Sequence, residues 1–233
     1  MQVSHESRTG IRAGDGLDGM WGGVRVGLVH EALFRIGMTP WVQPLTAFDA
    51  QIDTLLGEVT LPTGTRHRQI LPGRALGVGC GTGEHAVALA RRGWRVVGVD
   101  TVAYALERAR RRAALSGVEI DFHNVDVCTV EAGGVFTSFD LIVDVGCYHG
   151  LDDARRRDYV ERVTRLAEPG TSLLMYAFGA GHRGFFPSGA SHHHVERRFG
   201  DGWSFVCDWD ADTTEMSGPF KKVDPRWFRL VRR

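Results

Sequence analysis

The chain has 233 residues, enough for one α/β domain with an appendage and a sizeable buried core. Its 28 Lys and Arg balance 28 Asp and Glu, and this zero net charge excludes a general attraction to nucleic-acid backbones or anionic lipid. No apolar run reaches the length of a membrane span, and the polar start lacks the apolar stretch of a secretory leader.

Residues 1–27 hold seven glycines among polar residues and predict a flexible start, unless Met20 and Trp21 dock elsewhere. Residues 28–73 read as a helical cover. Its first helix runs through Leu28, Ala32, Leu33 and Ile36, a break falls at Thr39-Pro40-Trp41, and a second helix spans roughly 45–56. Pro62, Gly64 and Pro72-Gly73 mark the loop that follows. From 74 to 233 the pattern alternates. Strands are predicted at 74–79, 95–99, 119–123, 139–145 and 171–178, and helices at 83–92, 102–116 and 152–167, with Pro169-Gly170 as the turn into the fifth strand. Such alternation predicts an α/β fold with a doubly wound, Rossmann-like parallel sheet. Residues 179–200 form a Gly-rich insertion ending in a short helix near 192–200, and strand-like runs follow at 203–209 and 226–232.

Lysine occurs only at Lys221 and Lys222, an arginine bias that points to a GC-rich, bacterial genome. The clusters Arg91-Arg92, Arg110-Arg111-Arg112 and Arg155-Arg156-Arg157 fall on predicted helices and read as solvated faces. Cys80, Cys128, Cys147 and Cys207 lack metal or redox spacing, so a reduced, cytoplasmic protein is expected. His192-His193-His194 start a helix on different faces, which argues against a metal site, and none is expected.

The most informative stretch is Ala75-Leu-Gly-Val-Gly-Cys-Gly-Thr-Gly83, followed by a helical pattern and then Trp94-Arg-Val-Val-Gly-Val-Asp100. It reads as strand, glycine turn, helix and second strand, with an acid at that strand's carboxyl end. Gly79, Gly81 and Gly83 let backbone pass tightly against a bound nucleoside. The dinucleotide fingerprint G-x-G-x-x-G fails, because Thr82 or Glu84 stands where its last glycine belongs. The spacing fits G-x-G-x-G, with Asp100 lying 17 residues beyond Gly83.

That pattern resembles the class I S-adenosylmethionine (SAM)-dependent methyltransferases, over about residues 70–178. The run Asp144-Val-Gly146-Cys147-Tyr148-His149 is similar to an Asp-x-Gly-x-x-His element in bacterial small-molecule members of the thiopurine and tellurite-resistance kind. The resemblance implies seven strands, the last antiparallel and beside the fifth, with SAM as cofactor across the carboxyl ends of the first four. It implies that the turn Gly79, Cys80, Gly81, Thr82 and Gly83 holds the methionine part at a helix amino terminus. It makes Asp100, followed by Thr101, the ligand of the ribose hydroxyls, and Asp126 the acceptor from the adenine amino group, with Val127 lending its N–H to the ring. Asp144 and Val145 would complete the cofactor site. Trp41 would cover the sulfonium end with an aromatic face. One departure is plain: Gly77 stands where the family usually carries Asp or Glu.

Each assignment has a plainer reading beside it: a helix cap for Asp100, a turn aspartate for Asp126, helix packing for Trp41. His149 is the candidate catalytic base, or else a loop-orienting or cofactor-touching histidine. Cys147 has no triad that would make it a nucleophile. Tyr148 and, on the loop after the fifth strand, His182, Phe185 and Phe186 are the candidate acceptor contacts. The expected activity is methyl transfer to O, N or S of a small molecule. Nucleic acid and membrane are not expected partners, since the fourth strand ends without a Pro-Pro-aromatic clamp for a flipped base, and the chain is expected as a monomer or homodimer. The alternatives kept are non-methyl chemistry on bound SAM, such as cyclisation or rearrangement, and SAM binding without catalysis.

Overall fold

A computed structural model describes residues 45–181, 189–214, 216 and 223–233. The predicted helix over 28–38, Trp41, His182, Phe185 and Phe186 lie outside the described residues.

Helix α1 (Leu45–Leu56) buries Phe48, Ile52, Leu55 and Leu56, the helical spacing read from the sequence. Its Phe48 packs edge-on to His85 at 4.7 Å. Beyond α1 the cover is not helical: β1 (Val59–Thr60) and β2 (Arg66–His67) pair as a small antiparallel hairpin around Pro62 and Gly64.

The main sheet is built from β3 (Arg74–Val78), β4 (Arg95–Asp100), β5 (Ile120–Asn124), β6 (Phe139–Val145), β7 (Ala167–Ala177), β8 (Trp203–Asp210) and β9 (Arg226–Arg232). Helices α2 (Glu84–Arg91), α3 (Ala103–Leu115), α4 (Asp153–Leu166) and α5 (His192–Phe199) connect and cover it. The seven strands lie in the order β5-β4-β3-β6-β7-β9-β8. Neighbours from β5 to β7 are parallel, and β9 runs antiparallel to both β7 and β8. The last strand is thus antiparallel and beside the fifth strand of the predicted series, as the resemblance implied. Central strands are buried on both faces, which is why β3, β4 and β6 read as near-continuous apolar runs. One face packs Ala75, Leu106 and Leu141 with α1, the other Leu76, Ile142 and Tyr159 with α4.

Pro169-Gly170 is not a turn ahead of the fifth strand. Strand β7 begins at Ala167, directly after α4, and takes both residues within it. The register jumps from Phe139↔Ala167 to Leu141↔Ser172, so the extra residues form a bulge with Gly170 at φ 95°. Thr171 stitches it shut, donating to the Phe139 carbonyl at 2.6 Å and accepting from Glu168 N–H at 3.0 Å.

The order reverses between β3 and β6. That switch point is where an open α/β sheet forms its crevice, at the carboxyl ends of the strands.

Candidate active site

The turn after β3 puts Gly79, Gly81 and Gly83 at φ 58°, 52° and 76°, in the left-handed region that disfavours side chains. Gly79 also has no room for one, since a Cβ there would lie 2.8 Å from Cys147 Cβ on the loop after β6. Gly83 precedes α2 without a side-chain cap, so the helix's first N–H groups face the rim. Cys80 N–H donates to the Val99 carbonyl at 3.0 Å and ties the turn to β4.

Asp100 organises this rim. It is 9% exposed, and its carboxylate accepts from Gly81 N–H and from Val102 N–H, each at 2.8 Å. Burial pushes its carboxyl upward while these backbone donors oppose the shift. One oxygen thus holds the glycine turn and the other the residue before α3, so Asp100 ties these two loops of the rim together. Thr101 is exposed beside it. Thr82 is held from behind by Arg112, which donates to its carbonyl at 2.6 Å and its hydroxyl at 2.9 Å and pairs with Glu84 at 2.7 Å. The Cys80 thiol packs toward Gly98, where burial raises its pKa well above the usual value.

Gly77 leaves space rather than strain. A Cβ there would touch Cys80 Cβ at an ordinary 3.6 Å. A cavity of about 20 Å³ opens beside it, lined among others by His85, Val143 and the predicted Val145. That is room for one water molecule.

At the end of β5, Asp126 is half-buried and already engaged. Oδ1 accepts from Cys128 N–H at 2.9 Å, and Oδ2 accepts from Arg155 Nη2 at 2.7 Å. Val127 is buried beside it.

Asp144, predicted at the cofactor, has no exposed surface. Its oxygens accept from Cys147 N–H at 2.8 Å and Tyr148 N–H at 3.0 Å, which folds the chain after β6 into a 3-10 turn over Tyr148–Gly150. Burial pushes its carboxyl up to about 6, against those same donors. The Tyr159 hydroxyl lies near it without meeting hydrogen-bond geometry. Asp144 thus shapes the rim from beneath instead of facing a ligand. Tyr148, predicted at the acceptor, is likewise fully buried. It packs edge-on to Tyr159 at 5.2 Å, and its hydroxyl meets His194 Nε2 at 3.0 Å.

His149 is 1% exposed, stacked on Phe178 at 4.3 Å, and its Nδ1 accepts from Phe178 N–H at 3.1 Å. With Nδ1 used as an acceptor, the neutral ring carries its proton on Nε2. The Nδ1 lone pair is thus engaged by the backbone, and the ring holds the turn after β6 against β7.

The arginine triplet on α4 is not a solvated face. Arg156 is buried, donates to the Tyr148 carbonyl at 3.2 Å and the His149 carbonyl at 2.9 Å, and lies 5.0 Å over the Tyr148 ring. Arg155 holds Asp126, and only Arg157 stays on the surface, with Asp153. Adjacent helical residues point about 100° apart, so a triplet must turn some side chain inward. In the second triplet Arg110 and Arg111 stay exposed, as read from the sequence, while the half-buried Arg112 turns toward Thr82. Sequence reading also missed Tyr176, Phe178 and Trp227, whose rings join His149 in one buried aromatic group. Among the described residues no cluster of histidine, cysteine and carboxylate side chains could hold a metal ion.

Residues 75–170 match the family model described as a methyltransferase domain. In fold, rim and this match the chain is similar to the class I SAM-dependent methyltransferases. Among curated proteins it is similar to the probable thiol methyltransferase 2 of Arabidopsis thaliana, 30% identical over 64% of this chain and 60% of that protein. It is also 30% identical to the 2-heptyl-1-hydroxyquinolin-4(1H)-one methyltransferase of Mycobacteroides abscessus, over 46% of each. The alignments thus span about half of these relatives' lengths. Among solved structures, the Burkholderia thailandensis 1,6-didemethyltoxoflavin-N1-methyltransferase superposes with a TM-score of 0.67, covering 89% of this chain and 87% of that one at 16% identity, a likeness of fold.

Proposed function

We propose that this chain transfers the methyl group of SAM to O, N or S of a small-molecule acceptor. The observation that carries the reading is the rim itself: three left-handed glycines, a helix amino terminus and the buried Asp100 carboxylate meet at the carboxyl ends of β3 and β4. This donor set fits the group. Backbone N–H groups and the α2 terminus suit a carboxylate, and Asp100 suits the vicinal hydroxyls of a ribose. Asp126 and Val127 would take the purine, and Gly79, Cys80, Gly81, Thr82 and Gly83 the amino-acid end. Bound SAM supplies an electrophilic methyl on a sulfonium.

The protein's part is alignment and exclusion of water. Asp144 and Arg156 fix the Cys147–His149 turn at the end of β6, and Phe178 holds His149 in one tautomer. His149 then works as the residue that orients this loop, and a proton leaving the acceptor goes elsewhere. Trp41 covers the cofactor, and His182, Phe185 and Phe186 contact the acceptor, as their places in the sequence suggest. Similarity to thiol and hydroxyquinolone methyltransferases supports an uncharged or weakly acidic organic acceptor. Four free cysteines and the arginine bias support a reduced, cytoplasmic, bacterial setting.

Gly77, with a water-sized cavity in place of the usual acid, favours a second reading in which the chain binds SAM without transferring its methyl. Calorimetric titration with SAM and with S-adenosylhomocysteine tests binding, and screening thiols, phenols and amines for release of S-adenosylhomocysteine separates the two. Binding together with acceptor-dependent release supports transfer. Binding with no release from any class leaves the second reading, and no binding refutes both.

A further inference from the structure

We infer that this chain does not select its cofactor by the purine 6-amino group, because Arg155 already holds the carboxylate that would read it. This rests on the reading that the purine lies beside Asp126.

The pair is built into the fold from both sides. Arg155 Nη2 lies 2.7 Å from Asp126 Oδ2, and the two side chains are 29% and 26% exposed. The backbone around Arg155 is pinned as well. Its N–H donates to the Asp152 side chain that caps α4, at 2.9 Å, and its carbonyl accepts from Cys128 Sγ at 3.6 Å. Asp126 Oδ1 takes Cys128 N–H from the other side, at 2.9 Å. The carboxylate is therefore neutralised and served by two protein donors before any ligand arrives.

An amino group is a neutral donor. Offered to a lone carboxylate it gains a charge-assisted bond. Offered to this one it meets a carboxylate whose charge a guanidinium already balances, so the added bond gains less. Discrimination of a missing hydrogen-bonding group is large only where its loss leaves a buried partner unpaired. Here Arg155 keeps Asp126 paired whether or not the purine carries an amine. Recognition of the base then falls to the ring face, the ring nitrogens and the backbone at Val127.

The test is a thermodynamic cycle of ligand against side chain. S-adenosylhomocysteine and its 6-deamino analogue, with purine replacing adenine, are titrated calorimetrically against wild type, Arg155→Met and Arg155→Lys. Wild type should bind the two ligands within about fivefold of each other. Arg155→Met frees the carboxylate, and the gap should widen to about tenfold or more, chiefly through tighter binding of the amino ligand. Arg155→Lys, which keeps a cationic donor, should return the gap toward the wild-type value. Thermal melts confirm that each variant is folded. A wild-type gap wider than about fivefold, or a gap unmoved by Arg155→Met, overturns the inference while leaving the cofactor reading intact. Failure of wild type to bind S-adenosylhomocysteine at all removes the cofactor reading and this inference together.

Discussion

Replacing Asp100 by Asn keeps the shape of the side chain and changes only what it can accept. The carboxylate takes two backbone N–H groups at 2.8 Å, one from the glycine turn and one from the start of α3. An amide oxygen can serve one of them. Its NH₂ must then face the other, donor against donor, at a site only 9% exposed. One charge-assisted bond is lost, worth about 1.5–3 kcal/mol, and one buried N–H is left unpaired. Relief of the buried charge offsets part of that, as the upward shift of this carboxyl implies. A net destabilisation of about 1–2 kcal/mol follows, which for a chain of this size lowers Tm by about 2–8 °C. A ribose diol would also lose its ionic acceptor, so affinity for S-adenosylhomocysteine should fall about 10- to 100-fold. Differential scanning calorimetry and isothermal titration measure the two effects separately. If Asp100→Asn leaves both Tm and affinity at wild-type values, the carboxylate neither holds the turn nor meets the ligand, and the site has been drawn around the wrong residue.

Asp144 predicts a pH dependence. Its folded-state pKa of about 6 lies above the ordinary value of 3.8, so its contribution to stability is fully present below about pH 4 and is lost as pH rises through 6, a cost of about 3 kcal/mol above that range. Urea unfolding of Asp144→Asn should lack this component, and a variant tracking wild type across about pH 4–7 would contradict it. Gly83→Ala should destabilise by about 2–4 kcal/mol, partly from φ 76° and partly from a Cβ 2.8 Å from that of Ala109. Adding Ala109→Gly should recover the contact share alone, and strict additivity in the cycle would exclude the clash. For His149→Gln, the pH dependence of kcat/KM should keep its wild-type form, because the buried ring already spends Nδ1 on the Phe178 N–H. An ascending limb removed by this change and kept in Asp144→Asn would restore His149 to the role of base.

Strand and helix positions were legible because each period matched its burial. Residues 45–56 repeat at helical spacing, and β3, β4 and β6 are near-continuous apolar runs because both faces are covered. The glycine turn was legible for a different reason: three backbone positions with positive φ leave a mark in residue type. Asp144 and Tyr148 show the limit. Their place at the end of β6 was right, yet position along a strand does not say whether a side chain faces the crevice or the layer beneath it. Arg155 and Arg156 were hidden by composition, since a run of three charges on a helix resembles a solvated face until its partners are known. The bulge at 167–172 was hidden too, because Pro-Gly signals a turn whether or not the strand continues through it.

Arg155 and Arg156 are consecutive residues of one helix, yet they grip two different loops of the rim. The first holds the Asp126 corner and the second the carbonyls of Tyr148 and His149. Mechanically α4 is a yoke. A ligand that pulls Asp126 away from Arg155 works against the same rigid rod that sets the height of the His149 turn. A displacement of either loop is therefore carried to the other through a single helix.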